Sequence, residues 1–179
     1  MSVRNRWKLL ADYLSHKTVL RGQPVEFIVG TTAKCNLCCP MCPRETFKLP
    51  NEDMSDEVCE AFFHQTAGTA ESAMLIGLGE PFLDHKIFGR ITKCRNRHIS
   101  ALISTNGTPL NEKAAAALLD TGIDDATLSF HGMTEEVFEF YRKGAKVEKV
   151  RDNFLQCIPL LPVLCTGRRA CRESAGRRL

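Results

Sequence analysis

Short apolar runs alternate with amphipathic stretches through most of the chain. The runs at residues 25–29, 73–76, 99–104 and 126–130 have the length and composition of strands buried in a sheet. The segments around them have helical periodicity, beginning with residues 6–14. The pattern therefore predicts a leading helix and then four strands, each followed by a helix.

Polar residues mark where several of these helices should begin. Ser55 precedes two acidic residues, whose charge favours the amino end of a helix, and we expect its side chain to cap that helix. Asn111 precedes an alanine-rich helix that should stop near Gly122, and another helix should start at Thr134. A further helix is predicted over residues 84–96.

Strands that alternate with helices are typical of βαβ units, in which right-handed crossovers join parallel strands. The predicted fold class is α/β, either a barrel or an open sheet. The loops at the carboxyl ends of parallel strands form the active face of such folds. Segments with candidate site residues follow all four strands, at residues 35–42, 77–81, 105–107 and 129–132.

Composition and charge limit the possible partners. A chain of 179 residues that is 44% hydrophobic suits one domain. The net charge of +3 comes from the last fourteen residues, which hold five arginines, so we expect no nucleic-acid partner. Residues 3–20 lack the apolar core of a signal peptide, and no run of eighteen apolar residues occurs. We expect a cytoplasmic protein with no membrane partner.

Nine cysteines without a secretory signal indicate metal ligands rather than disulfides. Cys35, Cys39 and Cys42 could hold a [4Fe–4S] cluster by three thiolates, which leaves one iron free for a small molecule. The same loop contains two abutting pairs, Cys35/Cys38 and Cys39/Cys42, which could bind zinc, although structural zinc pairs are usually about a dozen or more residues apart. Three further cysteines of residues 23–157 fall on helical faces, and we expect them to be small buried residues: Cys59, Cys94 and Cys157.

These motifs resemble those of the radical S-adenosylmethionine (SAM) superfamily, in its subgroup that modifies peptides and cofactors. The cysteine spacing matches the superfamily's cluster motif, and residues 77–81 match its glycine-glycine-glutamate motif with one residue inserted. Residues 104–107 and 128–130 resemble the ends of its third and fourth strands. The resemblance extends over residues 27–153.

The resemblance implies that Cys35, Cys39 and Cys42 bind three irons of a [4Fe–4S] cluster and that SAM chelates the fourth. An electron from a donor such as flavodoxin or ferredoxin then cleaves SAM to a 5′-deoxyadenosyl radical, which abstracts hydrogen from an unknown peptide or small molecule. The SAM contacts implied are Gly77 and Gly79 beside the methionine moiety, Glu80 at its ammonium, Ser129 at the ribose or carboxylate, and Met41 against the adenine.

The family's barrel has six β/α units, and four strands are recognisable here. We therefore expect a helix and lead-in at residues 1–22, a partial (β/α) barrel with parallel strands at 23–157, and an irregular basic tail at 158–179. Two prolines in the first part of that tail disfavour a fifth strand. The change in pattern suggests a truncated or frame-shifted terminus. An active enzyme, a non-catalytic metal-binding module and an inactive relic remain alternatives.

Overall fold

A single parallel sheet organises the structure, a computed structural model that describes residues 3–157. Its strands are β1 (Glu26–Ile28), β2 (Ser72–Met74), β3 (Ser100–Thr105) and β4 (Asp125–Leu128), in the order β1-β2-β3-β4. Every neighbouring pair is parallel. The predicted α/β class and its four parallel strands are confirmed. The predicted tail at residues 158–179 lies outside the described residues.

Helices precede the first strand, connect the strands and follow the last one. They are α1 (Val3–Leu14), α2 (Arg44–Phe47), α3 (Asp56–Gln65), α4 (Ile87–Asn96), α5 (Glu112–Asp120), α6 (Glu135–Tyr141) and α7 (Val147–Cys157). The helix predicted over residues 84–96 begins later than expected. A separate 3-10 turn at Pro81–Leu83 precedes it, because Glu80 caps that turn and a proline occupies its first position.

The helix starts predicted at Ser55, Asn111 and Thr134 are confirmed, and all three residues cap their helices. The Ser55 hydroxyl accepts a hydrogen bond from the third residue of α3, at 3.3 Å. Asn111 and Thr134 cap α5 and α6 in the same way, at 2.9 Å and 3.4 Å. Gly122 follows α5 with φ of +71°, a conformation that few other residues adopt without strain.

The main core lies between one face of the sheet and helices α3, α4 and α5. Ala73, Ala101 and Ile103 point into it and are at most 2% exposed. Cys59 and Cys94 are buried there, as predicted. The opposite face carries alternate residues of the first three strands, side by side in register: Ile28, Met74 and Leu102. Ile28 is 77% exposed, so this face is open over β1.

A second, smaller core lies at the carboxyl edge of the sheet. Leu37 and Cys39, from the cysteine loop after β1, are buried against Phe138 of α6 and Val150 of α7. The loop is therefore packed on the two last helices, which positions it above the strand ends.

Helix α1 is attached to the domain mainly by polar contacts. Asn5 donates a hydrogen bond to the Gln23 carbonyl at 2.8 Å, and Asp12 pairs with Arg21. The apolar stripe of α1 is exposed instead and consists of Val3, Trp7, Leu10 and Leu14. None of the helices within residues 3–157 has the length and apolar content needed to cross a membrane.

Candidate functional site

The carboxyl ends of the strands line a cavity of about 190 Å³, with walls from the loops after all four strands. The eight residues predicted to bind the cofactors all contribute to it: Cys35, Cys39, Met41, Cys42, Gly77, Gly79, Glu80 and Ser129. A larger and more open cavity of about 750 Å³ contains none of them, and residues near the amino ends of the strands line it. The fold thus brings segments up to about ninety residues apart into one site, as the strand-end argument predicted.

The cysteine loop is held by contacts along its length. Leu37 anchors it in the small core described above. The Cys38 backbone N–H donates a hydrogen bond to the Lys143 carbonyl at 3.0 Å. The Cys38 side chain is exposed and takes no part in lining the cavity. The three cysteines of the predicted motif therefore face the cavity while the fourth faces solvent.

The number of thiolates in the cavity distinguishes a cluster from a structural zinc site. Within residues 3–157, one group of three metal-ligating side chains has all its donor atoms within 4.8 Å of one another, and it contains no cysteine. Cys35, Cys39 and Cys42 line the cavity together, whereas the exposed Cys38 does not. Structural zinc sites usually take four protein ligands. Three thiolates fit a [4Fe–4S] cluster, which gives each of them its own iron and leaves one iron open.

Burial affects the protonation of the first cysteine. It raises the pKa of the Cys35 thiol above its usual value. A thiol must lose its proton to bind iron, so loading of this site releases protons and is favoured by higher pH.

Gly79 lies where two loops of the protein touch. A Cβ atom added at this residue would be 2.7 Å from the Lys34 carbonyl oxygen and closer still to the Thr32 carbonyl oxygen. Real Cβ atoms do not approach backbone oxygens so closely. The glycine is therefore required by the chain that leads into the cysteine loop, in addition to any room that it leaves for SAM.

Glu80 is buried, with 2% of its surface exposed. Its Oε1 accepts a hydrogen bond from the Thr105 hydroxyl at 2.6 Å, and its Oε2 accepts one from the Asn106 backbone N–H at 2.8 Å. Burial raises the pKa of Glu80, although these hydrogen bonds oppose the rise. A carboxylate has about four lone-pair sites, so Glu80 can accept a further hydrogen bond from the cavity.

Ser129 and Met41 occupy different parts of the cavity wall. The Ser129 hydroxyl lies 2.9 Å from the Ser104 hydroxyl, so the ends of β3 and β4 are joined by a side-chain hydrogen bond. Met41 is 51% exposed and lies at the rim. Ser129 is held in place, whereas Met41 has room to move toward a ligand.

Arg142 also lines the cavity, and no sequence pattern indicated it. Its Nη1 lies 3.9 Å from the Cys39 sulfur, and its Nη2 donates to the Ser129 carbonyl at 3.0 Å. Its Nε is buried and has no hydrogen-bond partner among the described residues. Burial, and then the charge of Arg142, lowers the pKa of His131, which lines the same cavity. Arg142 thus places a fixed positive charge beside Cys39 in the cavity wall.

The segment before the cysteine loop is held by Asp53. Asp53 accepts hydrogen bonds from the Thr32 hydroxyl at 2.7 Å and from the Lys34 ammonium at 2.8 Å, and its carboxylate lies 3.0 Å from His85 Nδ1. Among the described residues, Asp53, Asp84 and His85 form the one group of three metal-ligating side chains whose donor atoms lie within 4.8 Å of one another. Because the Lys34 ammonium already neutralises Asp53, we assign this group a role in fixing the loop.

Comparison with known proteins identifies the family. The family model described as the radical SAM superfamily matches residues 29–168. The chain belongs to this superfamily. Its cofactors are therefore a [4Fe–4S] cluster and SAM, in agreement with the cysteine motif and with the cavity that the motif lines.

Relatives of known name match the radical SAM region over part of their length. A probable GTP 3′,8-cyclase of Methanothermobacter marburgensis is 28% identical over 130 residues, which are 71% of this chain and 42% of the relative. A tungsten-containing aldehyde ferredoxin oxidoreductase cofactor-modifying protein of Pyrococcus furiosus is 27% identical over 95 residues, which are 52% of this chain and 27% of the relative. The chain thus spans less than half the length of these relatives.

Solved radical SAM structures share the fold. The structure of anSMEcpe with bound AdoMet has a TM-score of 0.63 and 24% identity, and the match covers 76% of this chain and 41% of that chain. BtrN in complex with AdoMet and 2-DOIA has a TM-score of 0.61 and 21% identity, with 75% and 52% covered. These similarities confirm the predicted partial (β/α) barrel.

Proposed function

We propose that this chain binds a [4Fe–4S] cluster through Cys35, Cys39 and Cys42 and holds SAM on the cluster's fourth iron. The observation that carries the proposal is the single cavity lined by all eight predicted residues. When bound, the cofactors supply the one-electron cleavage of SAM to a 5′-deoxyadenosyl radical, which abstracts hydrogen from a peptide or small-molecule substrate.

The protein's own groups would orient SAM in this cavity. Glu80 has acceptor capacity for the ammonium of the methionine moiety, beside the open backbone at Gly77 and Gly79. Ser129 would bind the ribose or carboxylate, and Met41 at the rim would pack on the adenine. Arg142 supplies a cation close to both the cysteines and Ser129, which suits the negative charges of the cluster and of the SAM carboxylate.

The electron would come from a flavodoxin or ferredoxin, and we place the reaction in the cytoplasm because free thiols of this kind persist in reducing compartments.

The exposed face of the sheet at Ile28 supports a second candidate function. A radical requires a site closed to water. The second candidate is therefore a cluster-binding module without catalysis, because a chain whose barrel interior is open could bind the cluster without cleaving SAM productively.

Anaerobic reconstitution tests the proposal. Wild-type protein should bind about four irons per chain and gain the absorption typical of a [4Fe–4S] cluster. The triple replacement of Cys35, Cys39 and Cys42 by alanine should lose both. Cys38→Ala is the matched control, because this cysteine lies in the same loop but faces solvent, and it should keep them.

Addition of SAM and a strong reductant then separates the two functions. Formation of 5′-deoxyadenosine supports the enzyme, whereas a stable cluster without this product supports the cluster-binding module. Iron binding that is unchanged in the triple variant would contradict both.

A further inference from the structure

Asn36, directly after Cys35, belongs to a closed ring of side-chain hydrogen bonds with two residues that follow β3. Asn106 Nδ2 donates to Asn36 Oδ1 at 3.0 Å. Asn36 Nδ2 donates to Thr108 Oγ1 at 2.6 Å, and Thr108 Oγ1 donates to Asn106 Oδ1 at 2.6 Å. Each side chain donates one hydrogen bond within the ring and accepts one, so the three residues fix one another.

The residue on the other side of Cys35 is connected to the same place. The Lys34 carbonyl accepts a hydrogen bond from the Glu80 backbone N–H at 2.7 Å. The Glu80 carboxylate in turn accepts one from the Asn106 backbone N–H at 2.8 Å. Both neighbours of Cys35 are thus joined to Asn106, one through Glu80 and the other through the ring.

The end of β3 that anchors this arrangement is buried, whereas Asn36 is exposed. Asn106 and Glu80 are 5% and 2% exposed, and Asn36 is exposed. Buried hydrogen bonds in a low dielectric are stronger than exposed ones, so the end of β3 is the rigid partner. The ring transmits this rigidity to Asn36, the residue directly after Cys35.

We propose that Asn36, Asn106 and Thr108 are positioning residues that hold Cys35 toward the cavity before any metal is bound. Such positioning would make cluster binding more favourable, because a loop that is already ordered loses less conformational entropy when a cluster binds. This benefit rests on the proposed function. The ring itself is a property of the metal-free chain and can be tested there.

Thr108→Val is the decisive variant, since it removes the hydroxyl at nearly constant volume and lies outside the cysteine loop. In metal-free protein under reducing conditions, the alkylation rate of each cysteine by iodoacetamide can be measured by mass spectrometry. The lost hydroxyl makes two hydrogen bonds of the ring. We expect the Cys35 rate to rise about tenfold, the factor that corresponds to 1.4 kcal/mol, which is within the range for the loss of two hydrogen bonds. Thr108→Ser restores the hydroxyl and should restore the wild-type rate.

Cys59 and Cys94 are internal controls, because both are buried in the main core. Their rates should not change in Thr108→Val. Asn36→Ala removes the exposed member of the ring without touching the core and should also raise the Cys35 rate. The proposal is overturned by an unchanged Cys35 rate in both variants, by the absence of recovery in Thr108→Ser, or by an equal rise at Cys59 and Cys94.

Iron release provides a second measurement. After anaerobic reconstitution, a chelator should remove iron from Thr108→Val about tenfold faster than from wild-type protein, with Thr108→Ser again at the wild-type rate. Wild-type protein that binds no iron would refute the proposed function, whereas the alkylation rates would still decide whether the ring holds Cys35.

Discussion

Gly79 shows how one residue can couple two loops of the site. Because a side chain here would overlap backbone oxygens of residues 32 and 34, Gly79→Ala must displace the start of the cysteine loop. We expect a loss of about 1–3 kcal/mol in the free energy of unfolding, as for other overpacked sites. The iron bound after reconstitution should also fall. Denaturant unfolding followed by circular dichroism, together with iron analysis, measures both effects.

Gly89→Ala is the matched control for this substitution. Gly89 is exposed within α4, and an added Cβ would meet nothing within 4 Å. Alanine is a better helix former than glycine, so this variant should be more stable by about 0.5–1 kcal/mol and should bind iron normally. Wild-type stability and iron content in Gly79→Ala would contradict the steric argument.

At the scale of elements, the loop before α3 is clamped to the loop after β1 through Asp53. Burial disfavours the ionised carboxylate, but hydrogen bonds from Lys34, Thr32 and His85 outweigh it and lower the pKa of Asp53 to about 2. Since this pKa is lower than in the unfolded chain, the stabilisation is present above about pH 3.8 and is lost as the pH falls toward 2.

Asp53→Asn tests this clamp. The wild-type protein should be more stable than the variant by about 1 kcal/mol near neutral pH, and the difference should shrink toward zero as the pH falls from about 4 to about 2. Denaturant titrations of the metal-free protein at several pH values measure it. Asp125→Asn, an exposed carboxylate on β4, controls for the loss of a charge. A difference that does not depend on pH would contradict the pKa assignment.

Local sequence signals were sufficient to predict the strands, the helix starts and the position of the cysteine and glycine segments at the strand ends. Each of these depends on residues that are close together in the chain. The contacts of Arg142 and Asn36 could not be predicted in the same way. Arg142 approaches Cys39 from 103 residues away, and the two asparagines of the ring are 70 residues apart. The sequence pattern assigned only one residue of α7 to a helix, its last residue Cys157.

At the scale of the whole molecule, β4 forms one edge of the sheet in the described residues. Residues 125–127 of this strand are exposed. Exposed edge strands can pair with another chain, and a lysine on the edge opposes such pairing. We expect wild-type protein to associate as its concentration rises, and Thr127→Lys to associate less. Sedimentation velocity at several concentrations measures this.

Val137→Lys is a suitable control, because it adds the same charge on α6, at a residue that is also exposed. If wild-type protein remains monomeric at all concentrations, or if both lysine variants associate equally, the edge of β4 is not the contact. The fold then tolerates its open edge in some other way.

The exposed stripe of α1 determines which optical signal can follow unfolding in these stability experiments. Trp7 is the chain's single tryptophan and is 65% exposed on that helix. Its indole already contacts water in the native protein, so its fluorescence should change little when the sheet unfolds. Fluorescence would then follow unfolding with a much weaker signal than circular dichroism, even where both report the same two-state transition. An indole introduced at Phe63, in the main core, would give an optical signal that follows the barrel itself.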